Sequence, residues 1–178
     1  SFIGNVADDG GAVYWNGTDG SLFNCSFVNN SANDIGGAVF WNGIDGSLFN
    51  CSFLGNIANK DGALRWNAEN GYVYNCSFVN NFANDDGGVI IWCGQSGFLS
   101  NCSFVNNSAN GTCGAVELVG SDIVVSNCNF VNNVANDTCG AISLSVTGSS
   151  LFSCNFVNNS ANDIGGAVNM AANSYLFN

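Results

Sequence analysis

The chain has 178 residues, no Pro and no His, and a formal net charge of −11 from 13 acidic and 2 basic residues. Lys60 and Arg65 alone cannot line a phosphate-binding face, which excludes a nucleic-acid partner. No apolar run approaches the ~20 residues of a membrane span, so this segment carries none.

A repeat overrides the reading of the chain as an ordinary globule. Phe2, Phe27, Phe53, Phe78, Phe104, Phe130 and Phe156 stand at intervals of 25, 26, 25, 26, 26 and 26 residues. A short fixed period marks a stacked array without a single central core. Within one unit the order is as follows. Asn5, Asn30, Asn56, Asn81, Asn107, Asn133 and Asn159 lie three after each Phe, and Ala lies five after it, from Ala7 to Ala161. An Asn-Asp-Gly turn follows, and it absorbs the one-residue difference between units, since turns tolerate insertion and strands do not. Next comes Gly-Gly-Ala-Val, as Gly10 to Val13, Gly36 to Val39 and Gly165 to Val168, with variants beginning at Asp61, Gly87, Cys113 and Cys139. From that Ala (Val89 in one unit) to the next Cys is always 13 residues.

Short β-branched or aromatic runs with period-two alternation predict strands at about 12–16, 21–23 and 25–28 in the first unit, and no run has helical spacing. Comparing units assigns the faces. Val13, Val39, Leu64, Ile90, Val116, Ile142 and Val168 are always aliphatic, and Trp15, Trp41, Trp66, Trp92, Leu118, Leu144 and Met170 always apolar, so both columns point inward. The column between them (Tyr14, Phe40, Arg65, Ile91, Glu117, Ser143 and Asn169) tolerates anything and is expected to face out. Leu22, Cys25 and Phe27, with their counterparts, point in. Three strands in a coil of about 25 residues predict a right-handed parallel β-helix of seven coils, roughly 30–35 Å long at ~4.8 Å per coil. Asn columns suit it, because an amide donates and accepts and so bonds up and down a stack.

The alternation of Phe-x-x-Asn with Gly-Gly-Ala-[Val/Ile/Leu] resembles the repeat of adhesin-like surface proteins of methanogenic archaea. It is also similar to the repeat of chlamydial polymorphic outer-membrane proteins. The resemblance covers essentially the whole chain, with departures at Asp61, Val89, Cys113 and Cys139. It implies a parallel β-helix exposed on a cell envelope, an attachment role, and no catalytic residues. The chain opens and closes inside a unit, with Leu176-Phe177-Asn178 matching Leu22-Phe23-Asn24, as expected of a segment of a longer array or of a piece that stacks end to end.

Few groupings point to chemistry. Six of the nine cysteines form one inward column, which reads as small apolar filler; Cys113 and Cys139 occupy equivalent turn positions in adjacent coils and are a candidate disulfide. Cys93 is left over. Asp9, Asp34, Asp85, Asp137 and Asp163 recur near the variable turn, where Ca²⁺ held by oxygen ligands stands beside Asx-turn capping as a reading; no other cofactor is implied. Lys60, Asp61, Arg65 and Glu69 share the third coil and are the one cluster that an enzyme acting on acidic polysaccharide would use. The outward residues Tyr14, Phe40, Arg65 and Ile91, together with Phe23, Phe49, Tyr74 and Phe152, form a candidate interaction face. Val28, Leu54, Val79 and their counterparts form an exposed aliphatic stripe if the strand simply alternates there; the alternative is that a turn folds over these outward columns or that the corner tucks the Val inside. Sequons in expected turns place candidate glycans on Asn16, Asn29, Asn106, Asn110, Asn136 and Asn158. The expectation is a non-catalytic, extracellular, cell-surface stalk or filament segment that attaches or self-associates, as a homo-oligomer or end-to-end filament, with a glycan or cell-surface partner. The alternative is a carbohydrate-binding or polysaccharide-degrading β-helix.

Overall fold

Each coil turns four corners, and a left-handed residue stands at each. In the second unit these are Asn24, Asn29, Gly36 and Asp45, with φ of 54°, 52°, 66° and 56°. Only Gly, Asn and Asp adopt this conformation at low cost, which is why the gaps between strands are written in those residues. Cys113 and Cys139 hold the same left-handed position as Gly36, at φ 54° and 64°.

The computed structural model describes residues 1–171 and 173–177; Asn178, the last residue of the terminal repeat match, lies outside them. The described residues are all-β, a parallel β-solenoid of seven coils with four seven-stranded sheets. The Phe sheet begins with Phe2–Ile3 and Ser26–Val28, and the Ala sheet with Val6–Ala7 and Ser31–Ala32. The Trp sheet begins with Val13–Trp15 and Val39–Trp41, and the Leu sheet with Ser21–Phe23 and Ser47–Phe49. Every strand pairs in parallel with its counterpart one coil on, with Phe27 opposite Phe53 and Trp41 opposite Trp66. No helix long and apolar enough to cross a membrane occurs among the described residues.

The four-sheet coil corrects the expected three strands. Ser31–Ala32 and its counterparts form two-residue strands of their own. Two residues are too short to display alternation, so the sequence presents them as a corner.

The core is a set of columns. Rings of Phe27, Phe53, Phe78, Phe104 and Phe130 are buried and stack at 4.6–4.9 Å, within 11° of parallel. Trp15, Trp41, Trp66 and Trp92 stack at 4.8–4.9 Å on the facing side. Each of the first three indoles donates its N–H to a backbone carbonyl two residues on: Gly17, Gly43 and Ala68, at 2.9, 2.8 and 3.0 Å. The indole lies so close to Gly46 that a Cβ there would sit 2.2 Å from Trp41 Nε1. Where Trp gives way to Leu118 and Leu144, the glycine position fills with the buried residues Ile123 and Ser149. One volume is shared between two positions of the coil.

A fully bonded amide ladder runs beside the Phe column. Asn56 Nδ2 donates to Asn81 Oδ1 at 2.9 Å and to Phe27 O at 3.1 Å, and its backbone N–H also donates to Asn81 Oδ1 at 2.9 Å. The same set recurs through Asn30, Asn81, Asn107 and Asn133, all buried. Phe78→Ala is expected to cost about 3–5 kcal/mol as a large-to-small change in a closed core. The loss should appear chiefly as early melting of its own and the adjoining coils; an unchanged denaturation profile would contradict the column.

Candidate functional site

The outer faces of the coil differ, and the difference begins in the turns. On the Trp sheet, the Gly-Gly turn folds back over the strand that follows it. A Cβ on Gly87 would meet Ile91 Cδ1 at 2.1 Å, and one on Gly36 would meet the Val39 carbonyl at 2.6 Å. Phe40 and Ile91 are therefore buried, at 6% exposure each, and Ser143 is buried with them. The expected interaction face is corrected here: Phe40 and Ile91 are covered, Arg65 is half-buried, and only Tyr14 of the four is open, at 52%. Tyr14 stacks on Phe40 at 4.6 Å.

Beneath the same turn lies the charged cluster. Asp61 occupies the left-handed corner where neighbouring coils have Gly36 and Gly87; its side chain is fully buried. Arg65 Nη1 lies 3.3 Å from Asp61 Oδ2, Arg65 Nε donates to Asn67 Oδ1 at 2.8 Å, and Asp61 Oδ1 has no partner. Lys60 adjoins it in sequence, whereas Glu69 is exposed in the turn after the Trp sheet, where its carbonyl accepts the Asp45 amide. The four residues expected together are thus split between two turns. Glu117 stands two coils from Arg65 in the same column, with Ile91 between them. It belongs to the column that tolerates any residue, and only the stacking register sets it on the same face as Arg65. Burial pushes the Asp61 carboxyl up to about 7 against the opposing pull of Arg65. Burial and nearby Asp86 likewise raise Glu117.

The thiols of Cys113 and Cys139 are buried and free. Burial and the adjoining Cys139 thiol push Cys113 well above the usual range. The inward cysteine column holds Cys51, Cys76, Cys102 and Cys128 buried; each thiol donates to a carbonyl two residues earlier, as Cys51 Sγ does to Phe49 O at 3.3 Å. All six sequon asparagines (Asn16, Asn29, Asn106, Asn110, Asn136 and Asn158) are exposed. Of the Ca²⁺ candidates, Asp34, Asp85, Asp137 and Asp163 are exposed and Asp9 is half-buried. Among the described residues no three acidic or thiol groups converge as a metal site. A cleft of about 80 Å³ at the last coil, lined by Leu151, Cys154, Phe156, Leu176 and Phe177, lies where the inward columns stop.

The Leu sheet has no such cover. Phe23, Phe49, Tyr74 and Phe152 point outward as expected, with Phe23 61% and Tyr74 38% exposed. Two residues earlier on the same outward face stand Tyr72 and Phe98, and the rings form one network: Phe49–Tyr72 at 5.4 Å, Phe49–Tyr74 at 6.3 Å and Tyr72–Phe98 at 6.0 Å. At the corner beside them Asn75 Nδ2 donates to Asn50 Oδ1 at 2.7 Å and Asn101 Nδ2 to Asn75 Oδ1 at 3.0 Å, an exposed amide ladder. Around that corner the Phe sheet turns out Leu54 and Val157, both exposed, and Val79, Val105 and Val131, half-buried.

Charge follows the same division. All 13 acidic residues, with Lys60 and Arg65, lie on the Trp sheet or in the turns that flank it. From the Leu sheet through the Phe sheet to the Ala sheet there is none.

The chain matches no protein-family model, no curated protein and no solved structure.

The buried carboxyl sets a pH dependence. Its folded pKa, about 7, stands above the ordinary 3.8, so between the two values the folded chain holds more protons than the unfolded one. Stability therefore falls as pH rises through that window and levels off above it. Asp61→Asn keeps the shape and tolerates the left-handed corner. It is expected to flatten most of that fall and to add about 2–4 kcal/mol above pH 7; Glu117 supplies the remaining slope. Chemical denaturation across the window measures it, and an unchanged pH profile would show that Asp61 ionises freely.

Proposed function

We propose that the chain is a non-catalytic, extracellular structural and adhesive segment, a β-helical piece of a cell-surface stalk or filament that attaches or self-associates. The observation that carries the reading is the uncharged, aromatic side of a rigid rod. Contiguous exposed apolar surface marks an interaction face, and the solenoid presents aromatic rings on this side in most of its coils, with Ser100 and Ser126 as the exceptions in the outermost column. The sequence resemblance to archaeal surface adhesins points the same way. Strand edges at a coil end would also accept a further coil, so end-to-end addition belongs to the same proposal.

Beads coated with the intact chain are expected to stay on polysaccharide-coated glass under flow. Beads carrying the Phe23→Ser/Phe49→Ser/Tyr74→Ser variant should detach several-fold more readily. Serine already stands in that column at Ser100 and Ser126, so the variant keeps the coil. Equal retention would remove adhesion from the reading.

A second reading, a polysaccharide-degrading β-helix, draws on Asp61, Arg65 and Glu117. Against it, Asp61 is enclosed by its turn, where a sugar ring has no approach. The intact chain should release no reducing ends from uronate polysaccharides. Turnover that disappears in Lys60→Ala/Arg65→Ala would replace the structural reading with an enzymatic one.

A further inference from the structure

We propose that the uncharged side of the rod is a lateral pairing surface: two copies of this chain lie side against side through their Leu and Phe sheets, with their acidic turns directed away. The inference rests on the structural and adhesive reading above and names its partner.

Three observations select a second copy as the occupant. The first is charge. Every Asp and Glu side chain lies on or beside the Trp sheet. Two chains of net charge −11 repel unless their acidic turns are kept apart by more than the ~8 Å over which salt screens them. Pairing through the Leu and Phe sheets does this, and pairing through the Trp sheet does the opposite. The second is composition. Depletion of charge with enrichment of Tyr and Phe is what distinguishes the centre of a protein interface from ordinary surface, and Phe23, Phe49, Tyr72, Tyr74 and Phe98 form such a centre. The exposed amide ladder at Asn50, Asn75 and Asn101 supplies hydrogen-bonding groups beside it.

The third is geometry. Outward columns repeat at the coil rise, and a second copy has the same rise, so the spacing of ridges and grooves matches along the whole length of the pair even though the residues in each column vary. An unrelated partner has no such period. Seven coils at ~4.8 Å by a three-residue strand at ~3.3 Å per residue give about 330 Å² for each sheet, and the Leu and Phe sheets together offer about 700 Å² to a partner seated across the corner they share. That approaches the roughly 800 Å² per partner of a standard stable interface. A two-fold arrangement, in which each copy offers the same patch, closes the pair laterally and leaves only the coil ends open.

Sedimentation velocity of the intact chain over a wide concentration range tests the proposal. The expected result is a monomer–dimer equilibrium that tightens as salt is raised, because screening relieves the residual repulsion between acidic turns. Phe49→Ser/Tyr74→Ser should weaken the dimer about tenfold or more with an unchanged far-UV spectrum and melting profile. Tyr14→Ser, on the Trp sheet, should leave the dimer intact. A monomer at every concentration and salt would overturn the proposal, as would a dimer weakened equally by Tyr14→Ser. A monomer that is retarded by a neutral polysaccharide in affinity electrophoresis would assign the face to glycan instead. Bead retention on glass by a strictly monomeric chain would sink the pairing alone and leave the adhesive reading standing.

Discussion

The buried asparagine ladder fixes the register on which the rest of the rod depends. A slip of one residue would turn the buried Phe outward and Ser inward, so the apolar columns already oppose it. The ladder adds a polar penalty to the same slip. Asn81 accepts two N–H groups from Asn56 and donates to Asn107 and to the Phe53 carbonyl. A slip of one residue would bury four or more unpaired polar groups per coil, each costing about 1–3 kcal/mol. The Phe and Trp columns then stack within that register, where ring pairs add modestly beyond their burial.

From the same register comes the division of the coil into two unlike halves. The half from the Ala sheet through the Trp sheet to the Leu sheet carries the variable turn, the extra residue in some units and all the charge. The turn lies over the Trp sheet and makes a thin second layer in which Phe40, Ile91 and Ser143 are covered. Asp61 enters that layer in place of a glycine, and its carboxyl is tolerated there because the adjacent Arg65 and a raised pKa limit the cost of burial. The other half carries no charge, keeps constant length and leaves its aromatic and aliphatic columns open. One half accommodates variation in length and charge, and the other presents an unvarying period.

The solenoid was legible from the 25–26-residue spacing of Phe, the inward columns and the Asn positions, because each column is a one-dimensional pattern and the stack copies it directly into space. Phe23, Phe49, Tyr74 and Phe152 were correctly read as outward for that reason. Phe40 and Ile91 were read by the same alternation, which assigns a side chain to the outer face of a strand but says nothing about what crosses that face. The segregation of acidic residues into one half of each unit is present in the sequence, but it gains meaning only once the four sheets are known to form separate sides.

What the sequence alone determined is the period, the inward and outward sense of the main columns and the Asn-Asp-Gly chemistry of the turns, since these follow from strand alternation and from which side chains tolerate left-handed backbone. Only the tertiary structure decided that Ser31–Ala32 is a strand, that Arg65 and Glu117 share a neighbourhood, and that the Trp sheet is covered while the Leu sheet is bare. These outcomes depend on where a turn of four or five residues folds back after the corner, and that path is set by contacts between coils rather than by the residues of any one coil.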